Sequence, residues 1–393
     1  MIALTATTLF MPRERIEQPL LLVEDGVMVE VSSRARREVP GNCRLVDFGD
    51  GILAPGFIDI HIHGGAGHDV MEAGTGALPA VERLLASHGV TSYFPTTVTA
   101  PMDATLSALG RLADAIEAAE RNPQTSELQA GKLRACPLGI HLEGPFISHI
   151  RRGVHPPENL LAPSPAAFDG FWQAARGHIR VLTIAPELPG ALEVITQAAA
   201  RGVCVSLGHS NADLDAARAG FAAGARHATH TFNAMRPLDH RDPGILGEVL
   251  TDARLSADII ADGIHLDPVI VQLFLKAKGP EAAVLITDAT AATGMPNGRY
   301  RLGSLEVEVK DGRCMVGESL AGSVLTMDRA VRNVMQFAQW DLQQAVCLAT
   351  LNPARVAGVK NGGSIQAGAP ADLVVLSPSG EVRSTVVRGV GIW

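Results

Sequence analysis

Apolar runs of strand length alternate with helical periodicity from residue 55 to residue 289, and this alternation constrains the fold more than any other feature. Strands that alternate with helices in this way predict an α/β fold, a (β/α)8 TIM-type barrel. An open doubly wound sheet is the alternative, but it should show a glycine-rich phosphate turn, and residues 64–67 match that turn weakly. The predicted strands lie in residues 55–64, 89–97, 136–145, 179–187, 203–210, 227–233, 255–262 and 283–289.

Both ends of the chain carry strand signals. Two apolar runs flank Glu24-Asp25-Gly26, which is a hairpin signal, and strand patterns return from residue 363. We predict a small β-sandwich domain of residues 1–54 plus 355–393, beside a catalytic barrel domain of residues 55–354. Residues 300–316 predict further β-structure with a turn at Asp311-Gly312.

The composition excludes several classes of protein. A chain of 393 residues with 47% hydrophobic residues can bury one large core and support a smaller attached domain. A net charge of −8 and the lack of basic runs argue against a nucleic-acid partner. No apolar run approaches the roughly 18 residues of a membrane span. The five scattered cysteines and the lack of a signal-peptide pattern predict free thiols and a cytoplasmic location.

Side chains that can bind a metal stand at the C-terminal ends of separate predicted strands. His61 and His63 are two residues apart, so they project from the same face of the first strand. A barrel brings all its strand C-termini to one face, where active sites form. Imidazole and carboxylate ligands suit zinc, iron, cobalt or manganese. The candidate ligands are His61, His63, Glu143, His209, His230 and Asp288.

With these motifs the chain resembles the amidohydrolase superfamily and, within it, the N-acetylglucosamine-6-phosphate deacetylase family. The resemblance covers nearly the whole chain, and it implies hydrolysis of the N-acetyl group of an amino-sugar phosphate, giving glucosamine 6-phosphate and acetate. The matching motifs are Pro55-Gly-Phe-Ile-Asp-Ile-His-Ile-His-Gly64, His141-Leu-Glu-Gly-Pro-Phe146, Leu207-Gly-His-Ser210, Thr229-His-Thr-Phe-Asn-Ala-Met235, Asp262-Gly-Ile-His265, Thr287-Asp-Ala289 and Leu320-Ala-Gly-Ser323.

The resemblance implies a divalent metal, one or two ions per chain, with zinc as the first expectation. The tight site would be Glu143, His209 and His230, completed by water. Some family members lack both histidines of the first strand, whereas this chain keeps His61 and His63, so a second ion can bind. Many two-metal relatives use a carbamylated lysine as the bridge, but no lysine here ends a predicted barrel strand, which makes Glu143 the better bridging candidate. The lysines are Lys132, Lys276, Lys278, Lys310 and Lys360.

The predicted chemistry needs a nucleophilic water, and a divalent ion can lower the pKa of its bound water to about 7. Asp288 is the predicted general base and acid; the alternative is that it serves only as a ligand or a strand-end cap. His265 is predicted to polarise the acetyl carbonyl or to hold the sugar. Arg241 is the predicted phosphate clamp, because a guanidinium matches phosphate oxygens with paired donors.

The resemblance also implies sugar-phosphate contacts from three further segments and a homodimer. A neighbouring subunit would help to build the phosphate site. Val154 stands where the family pattern has alanine, which affects only local shape. The residues implied in these contacts are Val154, His155, Asn233, Ala234, Leu320, Ala321 and Gly322.

Other functions remain open from the sequence. An N-acetylgalactosamine-6-phosphate deacetylase would use the same groups on an epimeric sugar. A cyclic amidase or deaminase would want the bridging lysine or another ligand set, and no phosphate arginine. A barrel that serves only as an interaction scaffold would not need Glu143, His209, His230 and Asp288 together.

Overall fold

The computed structural model describes residues 1–12, 14–41, 43–74, 76–121 and 133–391, which leaves Lys132 and the last two residues of the predicted terminal domain outside it. The turn predicted between the first long strands is present, since Asp25 and Gly26 have φ angles of 49° and 77°. The first strands are β1 (Ile2–Thr5), β2 (Thr8–Phe10), β3 (Arg15–Glu17), β4 (Pro19–Glu24), β5 (Val27–Ser33), β6 (Arg44–Asp47) and β7 (Ile52–Pro55).

A second set of strands follows from Phe57, and its members pair in parallel. β8 (Phe57–Ile62) is buried at every position, as expected for a strand covered on both faces. Two short strands, β9 (Gly64–Gly65) and β10 (His68–Asp69), form a small antiparallel pair after it. The other parallel strands are β11 (Val90–Thr97), β12 (Cys136–Pro137), β13 (Ile140–Glu143), β14 (Ile179–Ile184), β15 (Cys204–Leu207), β16 (His227–Ala228), β17 (Ala257–Ile260) and β18 (Ala283–Ile286).

Hydrogen bonds continue around the parallel strands, which fits the predicted barrel. The pairing order is β8–β11–β13–β14–β15–β16, and β17 pairs with β18. The main-chain nitrogen of Ala228 donates to the carbonyl oxygen of Ser256 (3.1 Å), which links β16 to β17. The nitrogen of Asp288 donates to the carbonyl oxygen of His61 (2.9 Å), which links β18 to β8. The sixth strand is shorter than predicted, because the chain turns away after Ala228.

The helices bury one apolar face against these strands. On α2 (Met102–Arg121), Leu109, Leu112 and Ile116 are all buried and form one apolar stripe. Asp267 caps α7 (Pro268–Ala282), because its carboxylate accepts from the main-chain nitrogen of Val269 at 2.8 Å. The helices are α1 (Ala77–Ser87), α2 (Met102–Arg121), α3 (Pro165–Ala174), α4 (Ala191–Ala200), α5 (Leu214–Ala223), α6 (Gly244–Thr251), α7 (Pro268–Ala282), α8 (Met327–Ala338), α9 (Leu342–Leu348) and α10 (Leu351–Val356). None of the helices within the described ranges is both long and apolar enough for a membrane span.

The predicted β-structure after the last barrel strand is an antiparallel sheet with a turn at Asp311-Gly312. The final strands join β7, β2 and β3 in a sheet that contains both chain ends. Leu9, Leu21 and Leu373 from the two terminal sheets lie in one buried apolar cluster. The division of the chain into two domains stays a prediction. The late strands are β19 (Gly298–Leu302), β20 (Leu305–Lys310), β21 (Arg313–Val316), β22 (Ser319–Leu320), β23 (Leu373–Leu376) and β24 (Val382–Val386).

Candidate metal centre

Four of the predicted ligands, all histidines, surround the carboxylate of a fifth, Glu143, at the C-terminal ends of the barrel strands. The Oε1 atom of Glu143 lies 3.1 Å from Nε2 of His230 and 3.3 Å from Nε2 of His209. The same oxygen is 3.4 Å from Nε2 of His61, and Oε2 is 3.3 Å from Nε2 of His63. Glu143 ends β13 and is 2% exposed, so these contacts are shielded from water.

Asp288 joins this cluster from the other side. Its Oδ1 atom lies 3.1 Å from Nε2 of His63 and 3.5 Å from Nε2 of His61. The ligand atoms of His61, His63 and Asp288 therefore form a group that can hold one cation, since all lie within 4.8 Å of one another. We call these three residues the Asp288 group.

A second group of possible ligands contains Glu143, His155 and His209, again within 4.8 Å of one another. His155 was predicted as a substrate contact. The main-chain nitrogen of Thr99 donates to Nδ1 of His155 at 3.3 Å, so that nitrogen is an acceptor and the neutral ring carries its proton on Nε2. Nε2 faces Oε2 of Glu143 at 3.6 Å. This tautomer makes His155 a donor at the edge of the cluster.

Facing imidazole nitrogens show that the donor set suits a cation. Nε2 of His209 is 3.0 Å from Nε2 of His230, and Nε2 of His61 is 3.3 Å from Nε2 of His63. Two lone pairs that face each other at this distance repel unless a proton or a cation lies between them. Imidazole and carboxylate donors are those that first-row divalent ions prefer, so the residues present fit such an ion.

The two carboxyl groups of the cluster are held in their charged forms. Burial would raise the pKa of Asp288, but the imidazoles of His61 and His63 lower it to about 2. Burial also acts to raise the pKa of Glu143, and the surrounding histidines bring it well below its usual value. Both side chains are therefore carboxylates at neutral pH.

The imidazoles respond in different directions to the same surroundings. Burial lowers the pKa of His209 to about 4, and the nearby rings of His155 and His230 add to that effect. Burial acts in the same direction on His230, but Glu143 and Asp288 raise its pKa to about 9. The histidines thus differ in how readily they present a neutral nitrogen.

Three of these residues adopt a left-handed backbone conformation, which turns their side chains back over the strand ends. The φ angles are 47° for His209, 32° for His230 and 50° for Asp288. Side chains other than glycine rarely adopt such angles unless the surrounding structure holds them. The carbonyl oxygen of His209 accepts from the nitrogen of Ser148 at 2.9 Å, and that of Asp288 accepts from Ser323 at 2.7 Å.

The predicted loop at residues 320–322 lies against Asp288. Gly322 has a φ angle of 61°, and a Cβ atom there would come within 2.9 Å of the carbonyl oxygen of Asp288. Ala321 is buried, Leu320 is half-buried, and Val154 packs against the same small apolar cluster. Gly322 and Ala321 therefore place this loop beside the candidate centre, with Leu320 and Val154 next to it.

Asn233 and Ala234 lie next to the His230 turn. The Nδ2 atom of Asn233 donates to the carbonyl oxygen of His230 at 3.2 Å, and the carbonyl oxygen of Ala234 accepts from Ser210 at 3.0 Å. Both residues therefore stabilise the loops that carry His230 and His209.

Among the described residues, neither Arg241 nor His265 contacts the metal-capable cluster, so their predicted roles depend on a bound substrate. Within the described residues, the guanidinium of Arg241 forms no hydrogen bond or ion pair, and only its main-chain nitrogen binds the carboxylate of Asp239 (2.9 Å). His265 is held by Asp262, whose Oδ2 lies 2.7 Å from Nδ1.

Sequence reasoning missed two buried acidic residues inside the barrel strands. Asp59 accepts from the Oγ1 atom of Thr287 at 2.5 Å and from the nitrogen of His61 at 3.3 Å, so it joins β8 to the segment that carries Asp288. Asp258 accepts from the main-chain nitrogen of His230. An acidic residue within an apolar strand was the available signal for both.

Comparison with known proteins agrees with this geometry. Residues 52–391 match the family model described as the amidohydrolase family. The chain is 42% identical over 362 residues to an N-acetylglucosamine-6-phosphate deacetylase of Bos taurus, covering 88% of this chain and 85% of the relative. An N-acetylgalactosamine-6-phosphate deacetylase of Escherichia coli O157:H7 is 38% identical over 86% of this chain and 87% of its own length.

A solved structure extends the similarity to the whole fold. It is a variant of the N-acetyl-D-glucosamine-6-phosphate deacetylase of Mycobacterium smegmatis in complex with N-acetyl-D-glucosamine-6-phosphate. It superposes with a TM-score of 0.89 at 34% identity and covers 100% of this chain and 99% of its own. The chain therefore belongs to the amidohydrolase family and, within it, to the N-acetylglucosamine-6-phosphate deacetylases.

Proposed function

We propose that the protein hydrolyses the N-acetyl group of N-acetylglucosamine 6-phosphate, giving glucosamine 6-phosphate and acetate. The observation that carries this proposal is the buried cluster around Glu143, in which four imidazoles and the Asp288 carboxylate converge. The membership of the chain in the deacetylase family supports the choice of substrate.

Glu143, His209 and His230 would hold the first divalent ion, and the Asp288 group would face a second. Such an ion, when bound, lowers the pKa of water and polarises a carbonyl oxygen. Glu143 suits the bridging position, because its two oxygens face different sets of histidines. We propose zinc as the ion, with iron, cobalt and manganese as alternatives that the same donors accept.

Asp288 would move the protons of the reaction. Its low pKa makes it a carboxylate before attack, so it can accept a proton from the attacking water. As the carbon–nitrogen bond of the amide breaks, the same carboxyl group returns a proton to the leaving nitrogen. The short distance between Asp288 and His63 (3.1 Å) fixes the orientation of the carboxylate during this transfer.

His155 and His265 would hold the sugar through opposite hydrogen-bonding roles. His155 presents a donor on Nε2, because its Nδ1 accepts from Thr99. His265 donates from Nδ1 to Asp262, so its neutral ring presents Nε2 as an acceptor for a hydroxyl group. The loop residues Leu320, Ala321 and Gly322, with Val154, Asn233 and Ala234, would complete the sugar pocket.

Arg241 would bind the phosphate, since its guanidinium has no partner within the described ranges. Replacing Arg241 with alanine should raise KM for the phosphorylated substrate about 10- to 100-fold, because a hydrogen bond to a charged group contributes about 1.5–3 kcal/mol. Arg254→Ala is the matched control, as Arg254 is an exposed arginine before the N-terminal end of β17. An unchanged KM in the Arg241 variant would remove the clamp from the proposal.

We also propose that the protein acts as a cytoplasmic homodimer in which a neighbouring subunit contributes near the phosphate. The terminal residues 1–54 and 355–393 would form a sandwich domain beside the barrel of residues 55–354. The shared buried cluster of the two terminal sheets supports that division.

Acetate release by metal-loaded protein tests the proposed reaction. Four substrates should be compared: N-acetylglucosamine 6-phosphate, its galactosamine epimer, the unphosphorylated sugar and a cyclic amide. Fast release from the first sugar phosphate alone supports the proposal as written. Faster release from the galactosamine epimer would replace the substrate, and release from the cyclic amide alone would overturn the deacetylase assignment.

A further inference from the structure

The histidines around Glu143 are anchored in two different ways. Nδ1 of His63 donates to the carbonyl oxygen of Thr96 (3.0 Å), and Nδ1 of His209 donates to that of Arg151 (2.9 Å). Such a bond on the far nitrogen fixes the ring and leaves Nε2 to face a metal. Nδ1 of His230 is buried and has no hydrogen-bond partner in the part of the chain that the structure describes. Something other than its ring nitrogen must therefore orient His230.

The main chain of His230 carries the anchor that its ring lacks. Its nitrogen donates to Oδ1 of Asp258 on β17. The next nitrogen, that of Thr231, donates to the carbonyl oxygen of Asp258 at 2.9 Å. Asp258 therefore receives two successive N–H groups at the point where His230 takes its left-handed conformation, with a φ angle of 32°.

Asp258 is itself fixed by His227, which lies on the neighbouring strand β16, three residues before His230. Oδ2 of Asp258 lies 2.9 Å from Nε2 of His227, and both residues are buried, with exposures of 1% and 0%. A carboxylate only accepts, so Nε2 of His227 carries the proton. Nδ1 of His227 faces the hydroxyl of Ser256 at 2.7 Å. The buried carboxylate thus has a donor on each oxygen, which makes its burial tolerable.

We propose that Asp258, held by His227, is a positioning residue that directs the imidazole of His230 toward Glu143 and His209. It acts through the main chain of His230 and touches neither substrate nor metal. The proposal rests on the proposed function only for its catalytic readout, because metal binding can be measured without any substrate.

Zinc affinity, measured by competition with a chromogenic chelator, tests the proposal directly. Asp258→Ala should weaken zinc binding about 10- to 100-fold, the usual effect of losing a partner that orients a ligand. It should lower kcat more than it changes KM for the acetylated sugar phosphate. Asp258→Asn should recover most of the affinity, because its amide oxygen still accepts from His230 and its amide nitrogen can donate to the other tautomer of His227.

Asp372→Ala is the matched control. The carboxylate of Asp372 accepts from the main-chain nitrogen of Arg388 at 2.7 Å, among the terminal strands and outside the metal-capable cluster. This variant can lose stability but should keep the zinc affinity of the parent. A folded Asp258→Ala variant with zinc affinity within twofold of the parent would overturn the proposal, as would failure of Asp258→Asn to bind better than the alanine variant.

The partner histidine gives a second test if Asp258→Ala does not fold. His227→Gln keeps a donor for Asp258 and should retain zinc affinity, whereas His227→Leu removes the donor and should lose affinity. Equal affinities in these two variants would overturn the proposal. The parent protein could also fail to release acetate from any sugar while the variants still lose zinc affinity. That result would support the positioning role of Asp258 and remove only the proposed substrate.

Discussion

Two regions of the molecule bury carboxyl groups with opposite results. Glu143 and Asp288 lie among imidazoles at the strand ends, and their pKa values are lowered. Glu82 lies on α1 and is 7% exposed, as Asp288 is, but burial raises its pKa from 4.5 to about 7. Equal removal from water therefore does not decide the charge of a carboxyl group; the charged and polar groups around it decide it.

The surroundings of Glu82 explain the difference. Among the described residues, its carboxylate accepts a hydrogen bond from the hydroxyl of Tyr93 at 3.1 Å, and the guanidinium of Arg134 is 3.8 Å away. The Glu143 carboxylate has four imidazole nitrogens within 3.4 Å. A buried acid surrounded by that many imidazoles stays charged and lies where a cation can bind, whereas Glu82 contributes to the core as an acid that is close to neutral.

Among the substitutions that test this comparison, Glu143→Gln should have the largest effect on activity. Glutamine keeps the shape but removes the charge that all four histidines share, so both metal-capable groups should lose their ion. Metal ions supply several kcal/mol of transition-state stabilisation, and we expect kcat/KM to fall about 10⁴-fold. Acetate release and zinc content measure the effect. Full zinc content in the variant would show that the histidines alone hold the ion.

Asp288→Asn should have the second largest effect, and it separates proton transfer from metal binding. An amide cannot take a proton from water at neutral pH, so kcat should fall about 10²- to 10⁴-fold. The ion at Glu143, His209 and His230 should remain. His68→Asn, at a half-exposed histidine that pairs with Glu72, is a control that should keep both zinc and rate. A rate near that of the parent would make Asp288 a ligand only.

The strand ends could be predicted from the sequence because local patterns carry them. His61 and Glu143 directly end or follow apolar runs, and the alternation of strands and helices places these ends on one face. The family motifs supplied the roles, which composition and periodicity could not supply.

The turns that aim the side chains could not be predicted in the same way. His209, His230 and Asp288 are not glycine, and although histidine and aspartate enter the left-handed region more often than most residues, that preference is too weak to mark these three positions. Contacts from distant residues hold them, such as the hydrogen bond from Ser323 to Asp288 and the one from His230 to Asp258. Such partners become visible only when the barrel is assembled.

The substitution Glu82→Gln tests the raised pKa of Glu82 through the pH dependence of the free energy of unfolding. Below pH 4.5 both the folded and unfolded chains bind the proton, but between pH 4.5 and about 7 only the folded chain keeps it. Stability should therefore fall as pH rises through that window, by roughly 3 kcal/mol in total. The glutamine variant should lack this fall and gain on the parent toward pH 8. Urea unfolding at several pH values measures it, and parallel profiles for the two proteins would show that Glu82 is charged.

The substitution Tyr93→Phe should have the smallest effect. It tests why burial does not raise the pKa of Glu82 further. The hydroxyl of Tyr93 donates to Glu82 and favours the charged form, which offsets part of the effect of burial. Without that donor the pKa of Glu82 should rise above 7, so the fall in stability should move to higher pH. The variant should lose more stability at pH 8.5 than at pH 5, with a difference of about 1 kcal/mol between the two. An equal loss at both values would mean that the hydroxyl contributes only packing, and that the guanidiniums of Arg134 and Arg83 favour the charged form of Glu82 without it.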